Sequence, residues 1–247
     1  MILGLKARWD SLVSDDISKL SDVVELHLEL SDINELFDKQ VNALSSLNKV
    51  FHLHAPFKNA KGAYVDFLND FDVFSKCVKL GDTLNKGAYH LVTHCSCGSE
   101  ADFSVILANL KKLLKKSGKV IFCFENLTSE GSNWFKRVSD FSRLFNSVDN
   151  KRVGMCLDVC HAFYESKRVF GDFIKSIGDK IFHVHLADLG LNHEHGVMIG
   201  DGVIDFNSVF SKLSKLNGVT LIPEVANSHL NKSAGLVTAF NRLSDYL

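Results

Sequence analysis

The fold class predicted for this chain is α/β: a single domain over residues 1–247 built as a (β/α)8 barrel. Three observations predict it. Eight short apolar runs rich in β-branched residues recur along the 247 residues, and longer runs between them repeat apolar side chains at i, i+3 and i+4. No Pro/Ser linker, charge block or shift in composition divides the chain into two units. A doubly wound open sheet has fewer strands and wants a glycine-rich phosphate turn, which this sequence lacks.

The elements follow in order. Ile2 to Leu5 is the first apolar run, and Val23 to Leu28 and Val50 to His54 each open on valine. Ala88 to His94 is the fourth strand, and Lys119 to Glu125 the fifth, with Val-Ile-Phe-Cys-Phe closed by a carboxylate. The clearest helix lies between these two, over Asp102 to Lys116. Phe103, Ile106, Leu107, Leu110, Leu113 and Leu114 form its buried stripe, while Lys111, Lys112, Lys115 and Lys116 form a solvated face. Val153 to Asp158, Ile181 to Leu186 and Thr220 to Glu224 complete the eight. Gly87, Gly118, Gly154 and Gly218 each stand just before or at the start of a strand, which predicts left-handed helix caps.

Composition narrows the function classes. With 46% hydrophobic residues, 2 Pro and 16 Gly the chain can bury a core and is neither disordered nor collagen-like. A formal charge of −1, from 28 basic and 29 acidic side chains, argues against a broad basic field for nonspecific binding to nucleic acid or membranes. Ile2-Leu3-Gly4-Leu5 is too short for a secretory apolar segment and no run approaches membrane-spanning length, so a soluble, cytoplasmic protein is expected. The six cysteines, at 77, 95, 97, 123, 156 and 160, are too few for a disulfide framework and are expected as reduced thiols.

The 11 histidines are the unusual component. In a barrel the chemistry sits where strands end. Those positions read His54, His94, Glu125, Asp158, His185 and Glu224, all of metal-ligating type. His161 follows Asp158 by three residues, and His193-Glu194-His195 lies after the seventh strand, where residues two apart in an extended segment would point to one ion. Carboxylates ending apolar strands, such as Glu125 and Glu224, cost several kcal/mol to bury unless a cation meets them. His27, His52 and His183 read as hydrogen-bonded interior residues, and His90 and His229 as peripheral. His94 with Cys95 and Cys97 forms a weaker candidate for a soft zinc site, since no second cysteine pair accompanies it.

These residues resemble the xylose-isomerase-like barrel superfamily and, within it, the endonuclease IV family of apurinic/apyrimidinic-site endonucleases, over about residues 50 to 225. The specific signal is Gly154-Met-Cys-Leu-Asp158-Val-Cys160-His161-Ala-Phe163, similar to the family's Asp-Thr-Cys-His-Ala-Phe with Val159 in place of Thr. His52-Leu-His54-Ala-Pro56-Phe57 is similar to His-Ala-Pro-Tyr, and Phe124-Glu125-Asn126 to Glu-Asn-Thr. His185-Leu-Ala-Asp188 and Gly200-Asp-Gly-Val-Ile-Asp205-Phe206 match patterns shared across the superfamily.

The resemblance implies up to three zinc ions: one on His54, His94 and Glu125; a second on bridging Glu125 with Asp158, His185 and Glu224; a third on His161, His195 and His193, with Glu194 as the alternative partner. It assigns catalytic roles to Glu125 and Glu224 and places Phe57 against DNA. It further implies a monomer that cleaves the phosphodiester 5′ to an abasic site in double-stranded DNA, in base-excision repair. The alternative from the same superfamily is a sugar isomerase or epimerase holding one divalent ion on Glu125, Asp158, His185 and Glu224. A noncatalytic binding barrel is a third class, which the filled ligand positions oppose.

Overall fold

The computed structural model describes residues 1–14, 16–35, 38–58, 65–95, 99–128, 135–228 and 230–247. In chain order the strands are β1 (Ile2–Leu3), β2 (Leu5–Ala7), β3 (Val23–His27), β4 (Val50–His54), β5 (Tyr89–Thr93), β6 (Val120–Glu125), β7 (Val153–Asp158), β8 (Ile181–Leu186), β9 (Asp188–Leu189), β10 (His195–Val197) and β11 (Thr220–Pro223). Nine of them form one parallel sheet in the order β1-β11-β8-β7-β6-β5-β4-β3-β2, and β9 and β10 make a separate antiparallel hairpin.

The sheet closes through its first residues. Ile2 pairs with Thr220 on β11, and Leu5 pairs with Val24 on β3. β1 and β2 are therefore two halves of one edge-joining strand, broken at Gly4. The Gly4 N–H donates to Leu221 O at 2.8 Å, and a Cβ there would lie 2.5 Å from the Ile222 Cδ1, so any larger residue would have to displace the Ile222 side chain.

Among the described residues the helices are α1 (Trp9–Ser14), α2 (Leu30–Glu35), α3 (Asp38–Ser46), α4 (Phe71–Leu84), α5 (Glu100–Lys116), α6 (Val138–Val148), α7 (Val159–Glu165), α8 (Lys167–Ile177), α9 (Phe206–Leu213) and α10 (Leu230–Ser244). All eight expected strand runs are present as strands, which makes the fold a single α/β TIM barrel. α5 begins two residues earlier than its apolar stripe predicts, because the Ser99 hydroxyl accepts the Asp102 N–H and caps it.

The glycine caps are a correction. Only Gly218 of the four is left-handed, at φ +67. Gly154 lies inside β7, while α4 and α5 end at Asn85 and Ser117 in extended conformations. The Asn85 amide accepts the Phe51 N–H at 2.9 Å and donates to Phe51 O at 2.8 Å, so a side chain on β4's backbone does the work assigned to Gly87.

Phenylalanine fills the layer between sheet and helices. Phe67 stacks on Phe74 at 4.1 Å, and a chain of ring contacts runs from Phe67 through Phe124, Phe135 and Phe141 to Phe173. Inside the barrel the alternate positions are polar where branched aliphatics usually sit. Glu25, His52, His90, Cys123, Cys156 and His183 lie there beneath the strand-end residues. His90 corrects its peripheral expectation: its ring stacks on His52 at 4.2 Å, its N–H donates to His52 Nδ1 at 3.0 Å, and its Nδ1 is 3.1 Å from His183 Nδ1. His229 and Cys97 lie outside the described residues.

Candidate metal centre

Parallel register delivers the strand ends to one mouth: His27 lies beside His54 on β3 and β4, and Asp158 beside His185 on β7 and β8. The mouth opens into a cleft of about 1290 Å³, whose lining includes His54, His94, Glu125, Asp158, His161, His195 and Glu224. Phe57, 40% exposed, also lines it, with its ring edge-on to His94 at 5.0 Å.

Three overlapping groups of ligand atoms converge there, one of them His54, His185 and Glu224. His54, His94 and Glu125 present one atom each within 4.8 Å of one another, and so do Glu125, Asp158, His185 and Glu224. Glu125 belongs to both. His94 Nε2 is 3.0 Å from Glu125 Oε2, and His54 Nε2 is 3.4 Å from the same oxygen. His185 Nδ1 lies 3.5 Å from Glu125 Oε2 and touches Glu224 Oε2.

The outward partners of the rings decide which nitrogens face inward. His54 Nδ1 donates to Ala55 O at 2.9 Å, and His185 Nε2 donates to the Glu25 carboxylate at 3.0 Å. That leaves His54 Nε2 and His185 Nδ1 as the nitrogens turned inward, able to ligate once they carry no proton. Both are buried and, with Glu224 Oε2, lack a hydrogen-bond partner among the described residues. Acceptors crowded in a dry site are reconciled by a cation, so the residues present fit a metal ion.

In the metal-free protein a proton occupies the place of the cation: against burial, the surrounding acidic groups hold the His185 imidazole above its ordinary value, so a metal ion binds there by displacing a proton. Burial pushes the Asp158 carboxyl up to about 6, with Glu125 and Glu224 adding to the rise against His161. Burial would also raise Glu125 and Glu224, but His185 with His94 holds the first, and His185 with Lys6 the second, below the usual carboxylate range. Asn126 ties two of the strand ends together: its amide donates to Asp158 O at 2.9 Å and accepts the Asp158 N–H at 2.7 Å.

A further cluster is partly assembled. Asp158 caps α7 by accepting the His161 N–H, and His161 Nδ1 donates to Asn126 O at 3.0 Å. The rings of His161 and His195 stand 5.6 Å apart. His193 is not brought to them: it sits in a left-handed turn at φ +58, exposed, with its ring edge-on to Tyr164 at 5.5 Å. The extended alternation expected of His193 and His195 therefore fails, because β10 begins only at His195. Glu194 is also exposed.

Two buried charges escaped the sequence reading. Glu25 is fully buried on β3, 3.1 Å from Lys6 Nζ, and Lys6 Nζ is also 2.5 Å from Glu224 Oε1. The signal was there for Glu25, an acid amid Val-Val-Glu-Leu-His like the one ending β6. His27, expected as an interior hydrogen-bonded residue, lines the cleft with its Nδ1 unpartnered among the described residues. Asp188 is fully buried on β9 and holds the segment that follows the hairpin, accepting N–H groups from Leu189, Gly200, Gly202 and Ile204.

Known proteins share the fold of this chain or part of its sequence. A family model described as a xylose isomerase-like TIM barrel matches residues 22–246. A protein of Mesomycoplasma hyopneumoniae strain J named probable endonuclease 4 is 28% identical over 200 residues, covering 73% of this chain and 68% of its own length. A second from strain 7448, with the same name, is 27% identical over 66% of this chain and 67% of its length. Among solved structures, a D-tagatose 3-epimerase-like protein superposes with TM-score 0.75 at 19% identity, covering 100% of this chain and 97% of its own. D-psicose 3-epimerase from Clostridium cellulolyticum H10 superposes with TM-score 0.75 at 15% identity over 100% and 98% of the two chains.

Proposed function

The chain belongs to the xylose isomerase-like TIM barrel family, and from the ligand-type residues at its strand ends we propose that it is a zinc-dependent endonuclease that cleaves DNA 5′ to abasic sites. The carrying observation is the pair of ligand groups sharing Glu125, with His161 and His195 beside them. One divalent ion needs only Glu125, Asp158, His185 and Glu224; His54, His94, His161 and His195 exceed that need. The relatives named probable endonuclease 4 support the same reading.

In this reading His54, His94 and Glu125 hold one zinc, Glu125, Asp158, His185 and Glu224 a second, and His161 with His195 a third. Bound zinc supplies Lewis acidity that lowers the pKa of a water and offsets charge on phosphate oxygens. The chain's own residues do the rest. Glu125 and Glu224 orient the reacting groups, and Ala55 O and Glu25 keep the imidazoles in the ligating tautomer. Phe57 offers an apolar ring at the mouth to the nucleotide that lacks a base, whose missing stacking makes it the least costly to turn out of a duplex. Double-stranded DNA with abasic sites is thus the proposed partner, met by a cytoplasmic monomer. Among the described residues no helix is long and apolar enough to cross a membrane.

The runner-up is a single-ion sugar epimerase, favoured by the self-sufficient group of Glu125, Asp158, His185 and Glu224. One experiment separates the two. Zinc-loaded protein is given an end-labelled duplex with a single tetrahydrofuran abasic analogue and, separately, a ketohexose. Scission immediately 5′ to the analogue is the expected result; an intact duplex with an epimerised sugar selects the runner-up.

A further inference from the structure

The Lys6–Glu25 ion pair stands against one half of the metal centre: Glu25 is fully buried, and Lys6, its side chain 10% exposed, lines the wall of the cleft. Glu25 accepts the His185 Nε2–H, with Nε2 to carboxylate distances of 3.0 and 3.2 Å, and lies 2.6 Å from His183 Nε2. Lys6 Nζ bridges the two carboxylates, 3.1 Å from Glu25 Oε1 and 2.5 Å from Glu224 Oε1. An imidazole ligates only through an unprotonated nitrogen, and His185 has two. With Nε2–H committed to Glu25, Nδ1 is the atom left facing Glu125 and Glu224. Lys6 takes Glu224 Oε1 and leaves Oε2 turned to the same point, while its charge lets Glu25 stay ionised with no exposure to water.

We propose that the Lys6–Glu25 pair is a positioning device for the second ion, fixing which nitrogen of His185 and which oxygen of Glu224 face it. The inference rests on the proposed multi-ion reading of the centre. Neither residue is a ligand: Lys6 acts on Glu224 and Glu25 acts on His185. The direct bonds of the pair to the ligands are on this side, since His54 takes its orientation from Ala55 O.

The test replaces both charges at once, Lys6→Met with Glu25→Met, because a buried ion pair exchanged for apolar side chains of similar volume commonly still folds. Zinc alone is titrated into metal-stripped wild type and double variant in competition with a chromogenic chelator. Long-range ¹H–¹⁵N spectra of the zinc-equilibrated proteins read which nitrogen of His185 keeps its proton. Wild type should take up the second ion with His185 held as Nε2–H. The variant should lose roughly 10- to 100-fold in affinity for the second ion and show mixed tautomers, with the first ion's affinity changed by less than about 3-fold. Equal second-ion affinity and an unchanged tautomer in a folded variant overturn the proposal. If wild type takes up no second ion, the multi-ion reading fails, and the tautomer spectrum still decides whether Glu25 holds His185. If the double variant lacks native circular dichroism, Glu25→Gln, which keeps shape and removes charge, carries the same comparison: a several-fold loss confined to the second ion supports the proposal, and no loss overturns it.

Discussion

Each ligand atom in the cleft is chosen by what lies behind it. Glu125 is shared by two of the groups, so Glu125→Gln should reduce bound zinc to one ion or fewer and cut abasic-site cleavage by roughly 100-fold or more; metal analysis and an end-labelled duplex check both. His52 shows the opposite kind of histidine, buried and neutral, with burial and the charge of His183 pushing it down to about 3. Its folded pKa lies below the unfolded value near 6.5, so the folded state declines a proton that the unfolded chain accepts. The stability it contributes is present above about pH 6.5 and drains as pH falls toward 3, by about 2 kcal/mol at pH 5. In urea titrations of the metal-free protein, His52→Asn should flatten the stability loss between pH 7.5 and pH 5 by about that amount; an unchanged slope would assign the acid sensitivity elsewhere. Glu125 and Glu224 were legible as site residues because an acid closing an apolar strand is conspicuous. Glu25 carried the same signal mid-strand, but the partners that justify it, Lys6 and His185, reach it only through strand register and barrel closure. His90 looked peripheral because nothing local tells which alternate residues of a strand face a barrel's interior.

At the scale of elements, strand positions followed from apolar runs bounded by polar residues, and α5 from its leucine stripe. The hairpin of β9 and β10 did not, since two- and three-residue strands have too little pattern to read. Asp188 makes several of the bonds that hold the segment after it, where Arg242 also reaches Ile199 O and Asp201. Asp188→Ala would strand four buried or part-buried N–H donors and should cost at least about 3 kcal/mol in urea unfolding. It should also loosen His195 and lower zinc content. A stable Asp188→Ala protein with full zinc content would show that the segment is held without it. The helix ends were misread for a related reason: a glycine ahead of a strand marks a turn, while the capping itself depends on φ and on side chains such as Asn85 that bond across to another element.

For the molecule as a whole, the sequence showed a barrel and one functional mouth, because six ligand-type residues spaced by strand–helix units have no common location in an open chain. It could not show how many ions the mouth takes, since that depends on angles among side chains from six strands. The −1 formal charge is that of the metal-free chain, and two or three divalent ions add roughly +4 to +6 where a phosphate would arrive. Ions bound only to the folded state stabilise it by about 4 kcal/mol at 1,000-fold excess over Kd, so chelation should lower Tm by on the order of 10 °C. Calorimetry with and without a chelator checks this, and an unchanged Tm would mean the centre is not loaded. The most direct measurement is the metal count by plasma mass spectrometry on protein equilibrated with zinc and freed of loose ions. The account predicts about two to three zinc ions per chain; a single divalent ion, with manganese or magnesium preferred over zinc, would contradict it.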